Sequence, residues 1–192
     1  GKSTVGRALA AELGVGYLDT GAMYRAVTHA ALQNAVDPSD HEAVAAVART
    51  TAIEVSDADG RTIVTVDGRD ATTEIRSRDV TDAVSAVAAV PAVRRVLVER
   101  QRAWVAEHGG GVVEGRDIGS VVFPDADLKL YVTASPRVRA ERRVAEIGGN
   151  VDEVEASIVE RDRKDSSRAD SPLREANGAT VVDTSAMSID AV

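Results

Sequence analysis

The chain has 192 residues, of which 44% are hydrophobic, enough to bury one sizeable core and suited to a single domain with a small insert. Its formal net charge of −8 argues against a nucleic-acid partner, because neutralising a phosphate backbone requires a basic surface. The lack of cysteine excludes disulfides, thiolate metal sites and cysteine nucleophiles, and no apolar run is long enough for a membrane span. We therefore expect a soluble, cytoplasmic protein that binds neither nucleic acid nor membrane.

Short apolar runs alternate with helical patterns along most of the chain. Strands are predicted at "VGYLD", "GGVVEGRD", "LKLYVTA" and "TVVDT", and this alternation is typical of a mostly parallel sheet wrapped by helices. The stretch 51–72 breaks the rhythm, because its β-rich runs flank the turn "DADG" and predict a small antiparallel insert. A long helix should follow, with Pro91 in its first turn and Gly109 at its end.

Two more helices are predicted in the second half of the chain. The first follows "LKLYVTA", with Ser135 as its cap and Pro136 at its first position. The second, "VDEVEASIVERDRKDSSR", places Arg161, Asp165 and Arg168 on one face.

The opening residues "GKST" are the first candidate for a functional site. Gly1, Lys2 and Ser3 fit the last three places of the phosphate-binding loop G-x-x-x-x-G-K-[ST]. In that loop the backbone amides surround a phosphate, the lysine reaches its oxygens and the hydroxyl coordinates Mg²⁺. The same residues also suit a capped surface helix, so the motif alone does not decide between the two interpretations.

The segment "LDTGAMYR" is the second candidate. Asp19 and Thr20 fall where a strand ends and a helix begins, which is the ligand-facing edge of an open α/β sheet. Either residue could simply cap the helix. Arg25, however, lies near the positive end of that helix, where a cation is unfavourable unless an anion binds nearby. This arrangement favours a phosphate ligand.

The segment "EGRDIGSVVFPDA" is the third candidate. Arg116 and Asp117 follow an apolar strand and are expected at the same edge of the sheet. A surface ion pair is the alternative interpretation. The glycines at 115 and 119 indicate backbone held close to another group and favour a site.

Arginines are dense between residues 137 and 168, and we interpret them in two ways. Arg137 is expected on a solvated helix face, paired with glutamates such as Glu141. Arg161, Asp165 and Arg168 lie where a phosphotransferase needs movable cations over a transferring phosphoryl group. The histidines have no spacing typical of metal ligands, and no serine has the sequence context of a hydrolase nucleophile.

A resemblance to a known family is carried by six segments, which are, in chain order, "GKST", "YLDTGAMYR", the β-rich insert, "VSAVAAVPAVRRVLVERQR", "EGRDIGSVVFPDADLKLYVTASPRVRAERR" and "ERDRKDSSRADSPL". Together they closely resemble bacterial cytidylate kinases, over essentially the whole chain. The resemblance implies an α/β P-loop kinase of three layers with a parallel central sheet. It implies one domain over 1–192, with a nucleotide-binding insert near 53–90 and a helical lid near 135–168. Thr20 and Glu114 stand where serine and aspartate are common, and both keep the functional group.

The resemblance also implies a role for each candidate residue. The ATP phosphates would be held by Gly1, Lys2, Ser3 and Thr4, with Ser3 on Mg²⁺. The acceptor phosphate would be held by Thr20, Arg25, Arg116 and Arg161, and the cytosine edge read by Ser85, Arg94 and Asp117. Asp165 would bind the sugar hydroxyl. Arg168, together with Arg142 or Arg143, would close over the transferring phosphoryl group. The predicted catalytic residues are Lys2, Arg116, Arg161 and Arg168.

The implied reaction is phosphoryl transfer from ATP to CMP or dCMP by a monomeric enzyme. Two alternatives stay open: another P-loop nucleoside monophosphate kinase, such as adenylate kinase, and a non-catalytic P-loop module. Adenylate kinase does not account for the insert, and a module should not bind ATP. Family members begin with a strand and the first half of the phosphate loop, and continue into a last helix, so we expect this sequence to be an excerpt of a longer protein.

Overall fold

The computed structural model of the chain describes residues 2–58, 60–168, 170–188 and 191–192. The chain divides into two compact units, an N-terminal unit of residues 6–115 and a C-terminal unit of residues 116–192 together with 1–5. Helix α1 (Lys2–Leu13) begins directly after Gly1, a predicted phosphate-loop residue that lies outside the described residues. None of the described helices is long and apolar enough to cross a membrane.

The N-terminal unit contains a pair of parallel strands and a set of helices. Strand β1 (Tyr17–Asp19) pairs with β5 (Val112–Glu114), and Asp19 lies opposite Glu114. The parallel pairing predicted from the alternation of strands and helices is therefore confirmed here. The remaining helices of this unit are α2 (Thr20–Gln33), α3 (His41–Thr50), α4 (Arg78–Val87) and α5 (Pro91–His108).

The predicted antiparallel insert is also confirmed. It consists of β2 (Ile53–Ala58), β3 (Arg61–Val66) and β4 (Arg69–Asp70), followed by a 3₁₀ turn at Glu74–Arg76. Asp67 and Gly68 join β3 to β4 with φ angles of 49° and 76°. A two-residue hairpin turn of this kind requires positive φ at both positions, which the dipeptide Asp-Gly adopts at little cost.

Helix α2 is buried on two sides. Ala22, Ala26 and Ala30 face a cluster that includes residues of the insert, whereas Met23 and Val27 belong to a larger cluster with α3, α4 and α5. The small alanine side chains allow the insert to pack close to the helix backbone. This burial fixes the orientation of the residues that α2 carries at its start.

Helix α5 packs tightly against the starts of β1 and β5 through Trp104. A Cβ atom at Gly16 would lie 2.7 Å from the Trp104 ring, and one at Gly111 would lie 2.8 Å from it, so only glycine fits at either position. The His108 ring stacks on Trp104 with a centroid distance of 4.1 Å. The helix ends at Gly109, whose φ of 67° gives the left-handed cap predicted from the sequence.

The C-terminal unit is built around a second parallel pair, β6 (Leu130–Thr133) with β7 (Thr180–Asp183). Between them lie α6 (Pro136–Ile147) and α7 (Val151–Ser166), which pack on each other. The Ser135 hydroxyl accepts from the backbone N–H of Val138 at 3.3 Å, which confirms the predicted cap. The predicted helix 151–168 ends at Ser166, so Arg168 lies beyond it and not on its last turn.

Candidate active site

The junction between β1 and α2 holds two of the predicted polar residues. Asp19 ends β1, and its Oδ1 accepts a hydrogen bond from the backbone N–H of Ala22 at 3.1 Å, so it caps α2. Thr20 is 3% exposed, and its hydroxyl donates to the backbone carbonyl of Glu114 at 2.7 Å. Asp19 thus has the capping role that the sequence left open, and Thr20 joins α2 to the end of β5.

Asp19 and Glu114 form a pair of carboxylates at the carboxyl ends of neighbouring parallel strands. Burial raises the pKa of Asp19, and the negative charge of Glu114 raises it further. The Tyr17 hydroxyl donates a hydrogen bond to Glu114 Oε2. This edge of a parallel sheet is where α/β proteins bind their ligands.

Arg25 lies in the second turn of α2 and is held by the elements that follow the insert. Its Nη1 donates to the backbone carbonyl of Ile75 at 3.2 Å and to the Thr81 hydroxyl at 3.0 Å. Both acceptors are neutral, so these two contacts orient the guanidinium without neutralising its charge.

Ser85 and Arg94 are the other predicted site residues of the N-terminal unit. Ser85 is half-buried on α4. Arg94, in the first turn of α5, is only 3% exposed and donates through Nη1 to the backbone carbonyl of Ala88 at 3.2 Å. Its guanidinium carbon lies 5.6 Å from the centroid of the Tyr24 ring. A buried cation held between a carbonyl and an aromatic face has a fixed direction, as base recognition requires.

The C-terminal unit brings together a group of charged side chains that we call the arginine cluster. Its members are Arg116, Arg139, Arg161, Arg168, Asp162 and Asp165. Arg116 Nη1 lies 2.7 Å from Asp162 Oδ1 and 3.3 Å from Asp165 Oδ2. Asp165, whose side chain is 1% exposed, also pairs with Arg168 and lies 3.9 Å from Arg161 Nε.

The arginine cluster carries more positive than negative charge. Four arginines against two aspartates leave a net charge of +2. Burial lowers the pKa of Arg161, and the neighbouring charges of Arg116 and Arg168 lower it further. Arg161 Nε is buried and, among the described residues, has no hydrogen-bond acceptor. A dianion bound here would neutralise the excess charge.

This grouping confirms that Arg161, Asp165 and Arg168 lie together, although Arg168 reaches Asp165 from the turn after α7. Two members of the cluster, Asp162 and Arg139, were not predicted as site residues. Asp162 lies within "ERDRKD", one residue after Arg161. Acidic and basic residues are interspersed in this segment, so the sequence does not distinguish Asp162 from its charged neighbours. Its partner Arg139 is on another helix, and that contact leaves no periodic signal in the sequence.

Asp117 follows Arg116 and opens a π-helix at Ile118–Val122. Asp117 is 6% exposed, and its backbone carbonyl accepts from the N–H of Val121 at 2.9 Å. Single turns of π-helix are rare and are frequent at functional sites. The turn fixes the backbone from which Asp117 extends.

Lys2, Ser3 and Thr4 form the first turn of α1. Backbone amides in the first turn of a helix point along the helix axis, and this direction is suited to phosphate. Among the described residues, no group of three or more His, Cys, Asp or Glu side chains could hold a metal ion. The hydroxyl oxygen of Ser3 could serve as a single protein ligand of Mg²⁺, because this ion usually takes its other ligands from nucleotide phosphates and water.

The two arginines predicted to close over the phosphates, Arg142 and Arg143, have different surroundings. Arg142 donates to the Thr184 hydroxyl at 3.1 Å and to the backbone carbonyls of Thr184 and Met187 at 2.7 and 3.1 Å. Arg143 has a weaker contact, 3.8 Å from the exposed carboxylate of Glu146. Arg142 is therefore anchored to the segment after β7, and Arg143 lies on the surface of α6.

Arg137 is an exposed residue of α6, as predicted. It lies 3.3 Å from Glu141 one turn along α6, and it also pairs with Asp152 and Glu155 on α7. These pairs are solvated and contribute little to stability. Arg137 provides a useful comparison with Arg116, which also contacts carboxylates of α7.

Parallel strands joined through helices are typical of nucleotide-binding α/β proteins, and clustered arginines are suited to binding phosphate. The chain is an α/β protein of the P-loop kinase class. A sequence model of the cytidylate kinase family matches residues 1–192, and the chain belongs to that family.

Individual relatives agree with this placement. A cytidylate kinase of Corynebacterium efficiens is 49% identical over an alignment that covers all of this chain and 86% of the relative. One from Pelotomaculum thermopropionicum is 50% identical, with coverage of 100% and 87%. The chain also matches 40% of the length of a bifunctional pantoate ligase/cytidylate kinase from Synechococcus, at 49% identity.

Proposed function

We infer that this chain transfers the γ-phosphoryl group of ATP to CMP, and also to dCMP, giving ADP and the corresponding diphosphate. The observation that carries this proposal is the arginine cluster, whose net charge of +2 complements the phosphate dianion of a nucleoside monophosphate. Family membership supplies the identity of the base. We expect the active enzyme to be a cytoplasmic monomer.

The chemistry requires positioning and charge neutralisation more than proton transfer. The attacking oxygen of CMP is already anionic at neutral pH, so no general base is needed. We propose that Arg116 and Arg161 bind the acceptor phosphate and stabilise the negative charge of the transition state. The buried Nε of Arg161, which has no hydrogen-bond acceptor among the described residues, supports this role, because an anion would supply one.

We propose that Arg94, Ser85 and Asp117 recognise cytosine. The base presents an exocyclic amino group and a carbonyl, and this set offers both acceptors and donors. The burial of Arg94 and Asp117 supports the assignment, since a desolvated polar group discriminates strongly between matched and mismatched partners.

The remaining roles follow the resemblance and are proposals as well. Thr20 and Arg25 contribute to binding the acceptor phosphate, and Asp165 meets the sugar hydroxyl. Arg168 closes over the transferring group together with a second arginine. Arg143 suits that task better than Arg142, because three hydrogen bonds already hold Arg142 to protein oxygens.

ATP is proposed to bind through its phosphates at the first turn of α1, with Lys2 and the backbone amides of Ser3 and Thr4 as donors. The Ser3 hydroxyl would hold Mg²⁺ there, and the ion would neutralise part of the phosphate charge. Excluding water from the bound nucleotides is the task of the lid residues, because water would otherwise accept the phosphoryl group.

A coupled assay of ADP release with CMP, dCMP, UMP and AMP as acceptors tests the proposal. We expect CMP and dCMP to be the best acceptors. Preference for AMP would indicate an adenylate kinase instead. No turnover together with no detectable binding of ATP would indicate a non-catalytic module.

A further inference from the structure

Asp162 joins two arginines that come from different parts of the C-terminal unit. Its Oδ1 accepts from Arg116 Nη1 at 2.7 Å, and its Oδ2 lies 2.6 Å from Arg139 Nη1. Arg116 lies just after β5, Arg139 lies on α6 and Asp162 lies on α7. One carboxylate therefore connects both helices to the arginine that is proposed to bind the acceptor phosphate.

Among the described residues, Arg116 makes its hydrogen bond and the closest approach of both of its ion pairs through Nη1. Nη1 meets both Asp162 and Asp165, while in the part of the chain that the structure describes Nε and Nη2 have no acceptor. A guanidinium binds an oxyanion best through two parallel N–H groups. Anchoring through Nη1 leaves the edge formed by Nε and Nη2 available for such a bidentate contact.

Asp165 alone is poorly suited to fix Arg116. Its distance to Arg116 Nη1 is 3.3 Å, and the same carboxylate also pairs with Arg168. Asp162 makes the shorter contact with Arg116, a hydrogen bond at Oδ1, and its Oδ2 forms an ion pair with Arg139. A carboxylate held from two sides has little freedom to rotate, so it fixes the direction of the guanidinium.

We propose that Asp162 is a positioning residue for phosphoryl transfer: it holds Arg116 by Nη1 so that the Nε and Nη2 edge meets the phosphate of the acceptor nucleotide, and Arg139 keeps its carboxylate in place. This proposal rests on the assignment of Arg116 to the acceptor phosphate. Asp162 itself touches neither substrate, and its effect on the reaction passes through Arg116.

Asp152 offers a matched control. It also lies on α7 and pairs with an arginine of α6, Arg137, but it has no contact with Arg116. Asp162→Asn and Asp152→Asn each remove one carboxylate charge from the contact between the two helices. Only the former should impair the use of CMP.

The experiment measures KM and kcat for CMP and for ATP, together with the thermal unfolding midpoint, for both variants. We expect Asp162→Asn to raise the KM for CMP about tenfold or more and to lower kcat, because a misdirected guanidinium loses its bidentate contact. The KM for ATP should change by less than about twofold, since Arg116 is not assigned to ATP. Asp152→Asn should leave all four constants close to those of the parent chain.

A double variant separates this proposal from the assignment on which it rests. In the background of Arg116→Ala, Asp162→Asn should have little further effect, because its partner is gone. If Arg116→Ala alone left CMP use intact, the proposed role of Arg116 would be wrong. If Arg116→Ala were severe while Asp162→Asn were harmless, the positioning role alone would be wrong.

Two other outcomes would also overturn the positioning role. A lower KM for CMP in Asp162→Asn would show that the carboxylate competes with the phosphate for Arg116. Equal losses with CMP and ATP, accompanied by a lower unfolding midpoint, would show a structural role only. If Asp162→Asn does not fold, Arg139→Gln frees the other carboxylate oxygen and should produce a smaller rise in the KM for CMP, with no such rise counting against the proposal.

Discussion

Arg116 and Arg137 both contact carboxylates of α7, but their surroundings differ. Arg116 belongs to a cluster with excess positive charge, whereas the charge of Arg137 is surrounded by three acidic groups. We expect Arg116→Ala to lower kcat by a factor on the order of 10²–10³, the usual cost of removing a group that stabilises transition-state charge. Arg137→Ala should change kcat by less than about twofold. Steady-state kinetics with CMP and ATP measure both, and equal small effects would exclude Arg116 from the site.

Asp117 offers a second comparison at the level of one side chain. Asp117→Asn replaces a carboxylate that accepts hydrogen bonds with an amide that also donates them. If Asp117 pairs with the amino group of cytosine, the substitution should weaken the preference for CMP over UMP by roughly 1–3 kcal/mol. ATP affinity should stay nearly constant. The ratio of kcat/KM values for CMP and UMP tests this, and a loss of ATP affinity at a constant ratio would place Asp117 at the donor nucleotide.

The sequence predicts which charged residues of α7 lie together better than it predicts their contacts with other elements. The spacing of Arg161 and Asp165 along α7 predicts that they share a face, because helix geometry is local. The contact of Asp162 with Arg139 depends on how α6 packs against α7, which no periodic pattern records. For Arg25, the sequence predicted a cation beside the start of α2, but not its contacts with Ile75 and Thr81.

At the level of elements, the ends of helices were the most predictable features. Pro91, Gly109, Ser135 and Pro136 all have the predicted capping positions, because each acts through its own backbone or hydroxyl. The π-helix at Ile118–Val122 was not predicted. An extra residue in a helical turn is stabilised by its tertiary surroundings and has no propensity signal of its own.

The cap of α2 leads to a prediction about pH. The pKa of Asp19 is raised by burial and by Glu114, so in the window from the ordinary value of 3.8 up to the raised pKa the folded chain binds more protons than the unfolded chain. Above this window, the charged carboxylate of Asp19 therefore lowers the free energy of unfolding. Below the window Asp19 is protonated, and this loss of stability disappears. Asn is an equally good cap. Asp19→Asn should accordingly raise the thermal unfolding midpoint at pH 7, and the gain should vanish as the pH falls towards 3.8.

Asp40 supplies the control for this substitution. It caps α3 by accepting from the backbone N–H of Ala43 at 3.0 Å, the same arrangement as at Asp19, but it is exposed. Asp40→Asn should leave the midpoint at pH 7 nearly unchanged. A gain in Asp19→Asn that persisted unchanged at low pH would show that the substitution acts through packing and not through charge.

At the level of the whole molecule, charge is distributed unevenly. The chain has a net charge of −8, yet the arginine cluster has a local excess of +2. Binding of an anion to the folded chain alone should stabilise it, and CMP at about 100 times its Kd should raise the unfolding midpoint by roughly 5–10 °C. Differential scanning fluorimetry measures the shift. Cytidine, which lacks the phosphate, should produce a much smaller one, and equal shifts would mean that the phosphate contributes nothing to binding.

Trp104, wedged against Gly16 and Gly111, is the chain's one tryptophan and belongs to the N-terminal unit. Emission excited at the red edge of aromatic absorption therefore reports solvent entry around α5, whereas α6 and α7 carry no tryptophan. Far-ultraviolet circular dichroism detects both helices. Recording both signals on one unlabelled sample shows whether the N-terminal and C-terminal units lose structure in one transition or in two.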